Sequence, residues 1–217
     1  MKTALIVVDA QNDFMPGGSL AVPNGDRIVR PINEMTLFIP FDRLIFTKDY
    51  HPADHLSFAS QHEGKKPFDD VVLAGISDKV WPDHCVAGTD GANIRLGIYT
   101  IPGEVKARKT TIINKGTDRE EISYSGFFDN TGEKSTGLDS ILKADQIKRV
   151  YVCGLAMDFC VFWTAKDAVK LGYETFVVLD ATASIKDFDA ALSELLSWTC
   201  PENGNKIRFA MSGGIKL

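Results

Sequence analysis

Cys160 stands in RVYVCGLAMDFCVFWTAKDAVKLG, where an apolar run breaks at Gly154 and gives way to a segment with helical spacing. Only the thiolate of a cysteine is a good nucleophile, and the positive end of a helix dipole lowers a thiol's pKa, so a thiol at this point is placed for covalent chemistry. Cys153, inside the apolar run, reads instead as a small buried residue. A nucleophilic thiol needs a base, a cation and donors for an oxyanion. Asp9 after ALIVV and Lys115 after TTIIN supply the base and the cation, and the N–H groups of Ala156 and Cys160 at the tight turn supply the donors. Asp180, after FVVL, is a rival base that spacing does not separate from Asp9. Each residue type also has an ordinary structural use, as a cap, a solvated cation or a core thiol. It is their arrival at one place that points to catalysis.

A second set of residues suits a metal. All four histidines (His51, His55, His62, His84) fall within residues 50 to 108, and Asp49-Tyr-His51 opens that stretch. On an extended backbone, Asp-x-His puts both side chains on one side of the chain. A third ligand from a distant loop would complete a catalytic site with open positions. Such ligands suit zinc, iron or manganese. His55 is the better candidate for an extra ligand or for a partner of one, and His62 reads as a surface residue. Phe14, Trp81, Tyr124 and Phe159 are candidates for pocket walls, whereas Trp163, Phe127 and Phe128 read as core.

The elements that must position these residues follow from hydrophobic patterning. TALIVVD, RLIFTKD, TTIINK, RVYVCG, TFVVLD and KIRFAM are short, β-rich and almost continuously apolar, as strands buried on both faces of a parallel sheet are. Residues 26–38, 136–145, 160–171 and 187–199 carry helical spacing, and Gly172 caps the third helix. The alternation predicts an α/β protein: three α/β/α layers around a mostly parallel, doubly wound sheet of about six strands. Ligands of such sheets bind beyond the carboxyl ends of the strands, where Asp9, Asp49, Lys115 and Asp180 all stand. Residues 50–108 are irregular and rich in Gly, Pro, His and Asp, which marks them as a functional segment within one domain spanning 1–217.

Composition narrows the partners. A net charge of -5 and the lack of a basic run interleaved with aromatics argue against nucleic acid. No stretch approaches the roughly 20 apolar residues of a membrane span. MKTALIVVDAQNDF reads as a first strand and not as a secretory signal, because its apolar run ends at Asp9 without a cleavage site. Cys85, Cys153, Cys160 and Cys200 form no C-x-x-C pair, which suits a reducing, cytoplasmic setting. The terminal Ile-Lys-Leu only weakly matches a peroxisomal Ser-Lys-Leu tail. A small molecule is the expected partner, and a homo-oligomer is open.

With these residues in place, the chain resembles the nicotinamidase branch of the isochorismatase-like cysteine hydrolases. DAQNDFMPGGSLAVPNGD, TKDYHPADHLSFASQH, WPDHCVAGTDG, INKG with YSGFFDN, and GLAMDFCV all match that family's motifs, from residue 4 to about residue 200. The resemblance implies the isochorismatase-like fold and a Cys160–Asp9–Lys115 triad. It also implies a divalent metal, zinc or else iron or manganese, on Asp49, His51 and His84. A cis peptide is implied near Leu155–Ala156, with Phe14, Trp81, Tyr124 and Leu155 bordering the substrate ring. The implied reaction is metal-dependent hydrolysis of nicotinamide to nicotinate and ammonia through a thioester, feeding NAD salvage, with pyrazinamide as a further substrate. Met157 and Phe159 differ from frequent family residues, which points to an altered pocket rim, and TDREEI between Lys115 and Tyr124 looks like an insertion. Another small amide or a carbamoyl compound is the alternative substrate. A non-enzymatic flavodoxin-like module lacks the phosphate-binding glycine loop it would need.

Overall fold

The most apolar run, Thr3–Val8 (β1), is buried along its whole length, because it lies at the centre of a sheet covered on both faces. The computed structural model describes residues 1–95, 97–98 and 109–217. Its elements are β1, α1 (Val29–Phe38), β2 (Arg43–Asp49), β3 (Asp70–Leu73), β4 (Ile76–Lys79), β5 (Lys109–Lys115), α2 (Leu138–Ala144), β6 (Arg149–Leu155), α3 (Phe162–Lys170), β7 (Glu174–Ala183), α4 (Phe188–Ser197) and β8 (Arg208–Ala210). Six strands form one sheet in the order β5-β2-β1-β6-β7-β8, every pair parallel. All six apolar runs are its strands, so the expected α/β sheet is present. Strand order reverses between β1 and β6, the switch point at which such sheets open a crevice.

Alternation along the strands builds two cores. Ala4, Ile6, Val8, Val150 and Val152 pack with Leu138 and Leu142 of α2, Ala165 and Ala168 of α3, and Leu195 of α4. Leu5, Val7, Phe46, Tyr151 and Cys153 pack on the other side with Ile32 and Met35 of α1, and with Phe14, Trp81 and Cys85 from long loops. Cys153 is the buried core thiol its place in the strand suggested. The irregular segment does carry small elements of its own, with β3 and β4 pairing as an antiparallel hairpin. Its residues 96 and 99–108 lie outside the described residues. No helix among the described residues is long and apolar enough to cross a membrane.

Two expectations need correction. The helix expected from residue 160 is preceded by a wider π-helical turn, Met157–Val161, so Cys160 lies within that turn and not at the start of α3. Trp163 was expected in the core but is 38% exposed, with Lys166 Nζ 3.7 Å from its ring. It falls on the solvent side of α3, opposite Ala165 and Ala168, and the ammonium gives it a cation–π partner instead of a packed one.

Candidate active site

Asp9 follows β1 in the left-handed region (φ 45°), a conformation Asp tolerates better than most residues. The turn places its carboxylate at the carboxyl edge of the sheet, fully buried. Thr47 of the neighbouring β2 donates to Asp9 Oδ1 at 2.7 Å, and its carbonyl accepts the Asp9 N–H at 3.2 Å. Lys115, the last residue of β5, reaches under β2 and is also fully buried. Its ammonium lies 2.9 Å from Asp9 Oδ2, 2.5 Å from Asp49 Oδ1, 3.0 Å from the Ser123 carbonyl and 3.5 Å from Cys160 Sγ. Cys160 Sγ and one carboxylate oxygen each of Asp9 and Asp49 all lie within 4.8 Å of one another. The base, the cation and the thiol read from strand ends therefore meet.

The turn that brings Cys160 here depends on Gly154. It has φ 109°, and a Cβ there would sit 2.0 Å from the Val8 carbonyl oxygen, so only glycine lets β6 lie this close to β1. The peptide Leu155–Ala156 is cis, as the resemblance implied. Asp158, inside the turn, accepts the N–H groups of Ile185 at 3.0 Å and Lys186 at 2.9 Å and so ties the turn to the loop after β7.

Burial reverses one expectation about the thiol. A helix dipole was expected to lower its pKa. Instead, burial pushes Cys160 well above its ordinary 9, helped by Asp9 and Asp49 and opposed by Lys115. The partial charge of one helix end is small beside the loss of water around a buried sulfur. Burial also raises Asp9, to about 6, against the pull of Lys115. At neutral pH the shared proton thus sits on sulfur, and Asp9 is an ionised base beside it. Asp49 differs: burial alone would raise it, but Lys115 and His51 hold it well below the usual carboxylate range. Lys115 stays charged because Asp49 and Asp9 outweigh its own burial.

Asp49, His51 and His84 form the second half of the site, all buried, with one ligand atom from each within 4.8 Å of the others. His51 Nδ1 donates to the Gly116 carbonyl at 2.8 Å, and His84 Nδ1 donates to the Pro82 carbonyl at 2.7 Å. Each imidazole therefore turns its Nε2 lone pair inward, 3.8 Å from an Asp49 oxygen. Carbonyl-anchored Nδ1 and free Nε2 is the arrangement a metal-ligating histidine needs. Burial, with His51 adding to it, lowers His84 to about 4 and keeps it neutral. The donor set thus fits a divalent ion, and two buried carboxylates beside one ammonium leave negative charge for that ion to balance. Gly116 (φ 61°) permits this, since a Cβ there would meet the His51 ring at 2.4 Å. His55 stacks on His51, with ring centroids 4.1 Å apart. Both of its nitrogens are engaged, by the Ser57 hydroxyl at 2.7 Å and the Glu121 carbonyl at 3.0 Å, which makes it a support for His51 and not a fourth ligand. His62 donates to the Leu56 carbonyl, away from the site.

The two halves open on one pocket, lined among others by Phe14, His51, His84, Trp81, Tyr124, Phe159 and Cys160. The aromatic candidates therefore converge as expected. Leu155 does not line it. Strand alternation turns Leu155 into the core shared with Val7 and Ile28, where it is fully buried. Met157, expected at the rim, is likewise core. Asp180 is eliminated as a rival base, because Ser212 caps both of its oxygens, at 2.8 Å from N and 2.5 Å from Oγ. The TDREEI stretch folds back onto the site: Glu121 accepts His55 through its carbonyl, and its carboxylate accepts the Gly116 N–H.

Some positioning residues escaped sequence reasoning. Gln11 clamps the Asp49 backbone from both sides, accepting its N–H at 2.8 Å and donating to its carbonyl at 2.7 Å. Asp13 accepts the Cys85 N–H at 2.7 Å and so holds the loop bearing His84. The DAQND cluster was the available signal, but only its first member was read as functional.

The Isochorismatase domain model matches residues 3–197 of the chain. A nicotinamidase of Acinetobacter baylyi is 44% identical over 182 residues, covering 84% of this chain and 81% of that protein. The solved nicotinamidase/pyrazinamidase of Acinetobacter baumanii superposes with a TM-score of 0.86 at 39% identity, over 98% of this chain and 97% of that one. The pyrazinamidase of Pyrococcus horikoshii, solved in complex with zinc, has a TM-score of 0.69 at 34% identity, over 97% and 99%.

Proposed function

The chain belongs to the isochorismatase family, and from that premise we propose that it is a nicotinamidase working through a Cys160–Asp9–Lys115 triad. It is a hydrolase of amide C–N bonds and converts nicotinamide to nicotinate and ammonia. The observation that carries the assignment of roles is the sealed contact of thiol, carboxylate and ammonium at the floor of an aromatic cavity.

As the amide approaches, Asp9 takes the Cys160 proton and sulfur attacks the carboxamide carbon. The N–H groups of Ala156 and Cys160 receive the developing oxyanion. The tetrahedral adduct collapses, the C–N bond breaks, and the proton held by Asp9 passes to the leaving nitrogen, releasing ammonia. Water then adds to the thioester with Asp9 again as base; the C–S bond breaks and the thiol regains its proton. Lys115 stays charged throughout and steadies the anionic forms of both neighbours. Phe14, Trp81 and Tyr124 hold the pyridine ring flat. Asp49, His51 and His84 would hold one divalent ion, for which zinc is our choice, and such an ion supplies a Lewis-acid anchor for the ring nitrogen. A metal there is supported by the histidine tautomers, and zinc by the zinc complex of the Pyrococcus horikoshii relative. A reaction needing a free thiol suits the cytoplasm, with NAD salvage as its purpose and pyrazinamide as a second substrate.

The test is ammonia release from nicotinamide by the wild type and by Cys160→Ala, with nicotinate binding followed by calorimetry. Release by the wild type alone, with binding kept in the variant, is expected. Turnover by Cys160→Ala would refute the covalent route.

A further inference from the structure

The cavity's aromatic wall is held from outside by a residue that does not line it. Trp81, Tyr124 and Phe159 meet edge to face or tilted, with Trp81 6.4 Å from Tyr124 and 4.9 Å from Phe159 between ring centroids. The Tyr124 hydroxyl accepts from the Trp81 indole N–H at 3.1 Å and donates to Asp78 Oδ1 at 2.5 Å. An indole N–H can only donate and a carboxylate only accepts, so the direction of the hydroxyl proton is fixed. The hydroxyl's single proton is committed to Asp78 and is not available to substrate, so the hydroxyl serves as a tether. The second oxygen of Asp78 accepts from Asn130 Nδ2 at 3.1 Å, while Asn130 Oδ1 accepts the Tyr124 N–H at 3.0 Å. Asp78 lies on β4, within a hairpin outside the main sheet, and Phe68 just before that hairpin packs edge-on against Trp81 at 5.6 Å. An outer groove containing Asp78, Asn130 and Lys186 shares Tyr124 and Phe159 with the inner cavity.

We propose that Asp78 is a positioning residue for substrate selection: through its bonds to Tyr124 and Asn130 the β3–β4 hairpin fixes the aromatic slot at the width of a planar six-membered heteroaromatic amide. The inference rests on the nicotinamidase reading for its substrate but not for its geometry. The Asp78 carboxylate bonds Tyr124 and Asn130 and does not line the inner pocket, so it governs how tightly the ring is gripped and leaves the chemical step alone.

Asp78→Ala is expected to raise KM for nicotinamide by about tenfold, the loss fitting one hydrogen bond to a charged group, with kcat within about twofold. It should also narrow the preference for nicotinamide over ring-alkylated nicotinamides. Asp78→Asn sets an amide donor against the Asn130 donor, and Asn130→Asp sets two carboxylates face to face, so each alone raises KM. The double variant D78N/N130D exchanges donor and acceptor, rebuilds every bond, and should return KM to within about twofold of wild type. This rescue separates positioning from general damage, and it serves even if Asp78→Ala folds poorly. An unchanged KM in the single variants, an equal fall in kcat, or a double variant no better than the worse single would overturn the inference. Amide hydrogen exchange over residues 122–130 tests the tether without substrate: faster exchange in Asp78→Asn supports it and unchanged exchange overturns it. Lack of ammonia release by the wild type would strike only the nicotinamidase reading.

Discussion

Lys115→Met removes the one cation among two buried carboxylates and a buried thiol. Methionine replaces the four-atom apolar stem of lysine and omits only the ammonium, so the change largely isolates charge from packing. At an effective dielectric of about 20, each carboxylate contact of the ammonium, at 2.9 Å to Asp9 and 2.5 Å to Asp49, carries about 6 kcal/mol of attraction. Much of that is offset by the water the ammonium gives up, and breaking a buried ionic cluster by removing one partner costs about 3–5 kcal/mol in practice. The remaining carboxylates, with oxygens within 4.8 Å, repel by at least about 3.5 kcal/mol at that dielectric. The molecule can relieve this by taking up a proton, and Asp9, already raised to about 6, is the group to take it. An acid whose folded pKa exceeds its ordinary 3.8 binds more protons folded than unfolded, so stability falls as pH rises between those two values. In the wild type that window closes at about 6; without the ammonium it extends upward. Urea unfolding should therefore show a deficit of about 3–5 kcal/mol at about pH 8 that shrinks toward about pH 5. Both proteins need a chelator present so that no ion substitutes for the missing charge. A deficit below about 1 kcal/mol, or one independent of pH, would refute the assignment of Lys115 as the counter-charge of both carboxylates.

Two further outcomes follow from the same geometry. If Asp9 must be ionised to accept the thiol proton, kcat/KM should fall below about pH 6, reaching roughly a tenth of its plateau at about pH 5; a steady-state pH profile flat to about pH 4 would place the base elsewhere. His51→Ala should lower metal content and nicotinate affinity together, whereas His55→Ala should retain the ion, because its nitrogens are spent on Ser57 and Glu121; plasma emission spectrometry of the purified variants decides, and equal metal loss in both would make His55 a ligand.

Much of this site was legible because a parallel sheet converts sequence into position. Each apolar run ends at the same edge, so Asp9, Asp49 and Lys115 are brought together by chain direction alone. What was not legible depends on register across strands distant in sequence. Thr47 caps Asp9 because Val7 pairs with Phe46, placing the next residues of β1 and β2 side by side, and nothing in FTKD announces that partner. Gln11 faces the Asp49 backbone for the same reason. Leu155, which the resemblance implied at the ring, is committed to the core by the pleat of β6, a matter of strand phase that a motif match does not carry. The sign of the Cys160 shift was misjudged because dipole direction can be read from a local pattern, but burial is a property of everything packed around it.

That sign changes the character of the thiol as a proposed nucleophile. A thiolate stabilised at rest would be ionised before substrate arrived and would be less basic, hence less nucleophilic. Here burial raises both the thiol and the carboxylate, and it leaves Asp9, at about 6, the weaker base of the two. Proton transfer to Asp9 is therefore uphill until bond formation to carbon carries the charge from sulfur to the oxyanion donors. Lys115 lowers both pKa values, the thiol's from 3.5 Å and the carboxylate's from 2.9 Å, and so favours the anion on either side of the transfer. Because the same ammonium also contacts Asp49, the thiol and the proposed metal ligands are joined by one ionic network, Asp9–Lys115–Asp49. An ion bound on Asp49 would draw negative charge from Lys115's far side and leave more of the ammonium's field for Asp9 and Cys160. Occupancy of the metal site should then be felt at the thiol even where the ion touches neither sulfur nor the reacting carbon.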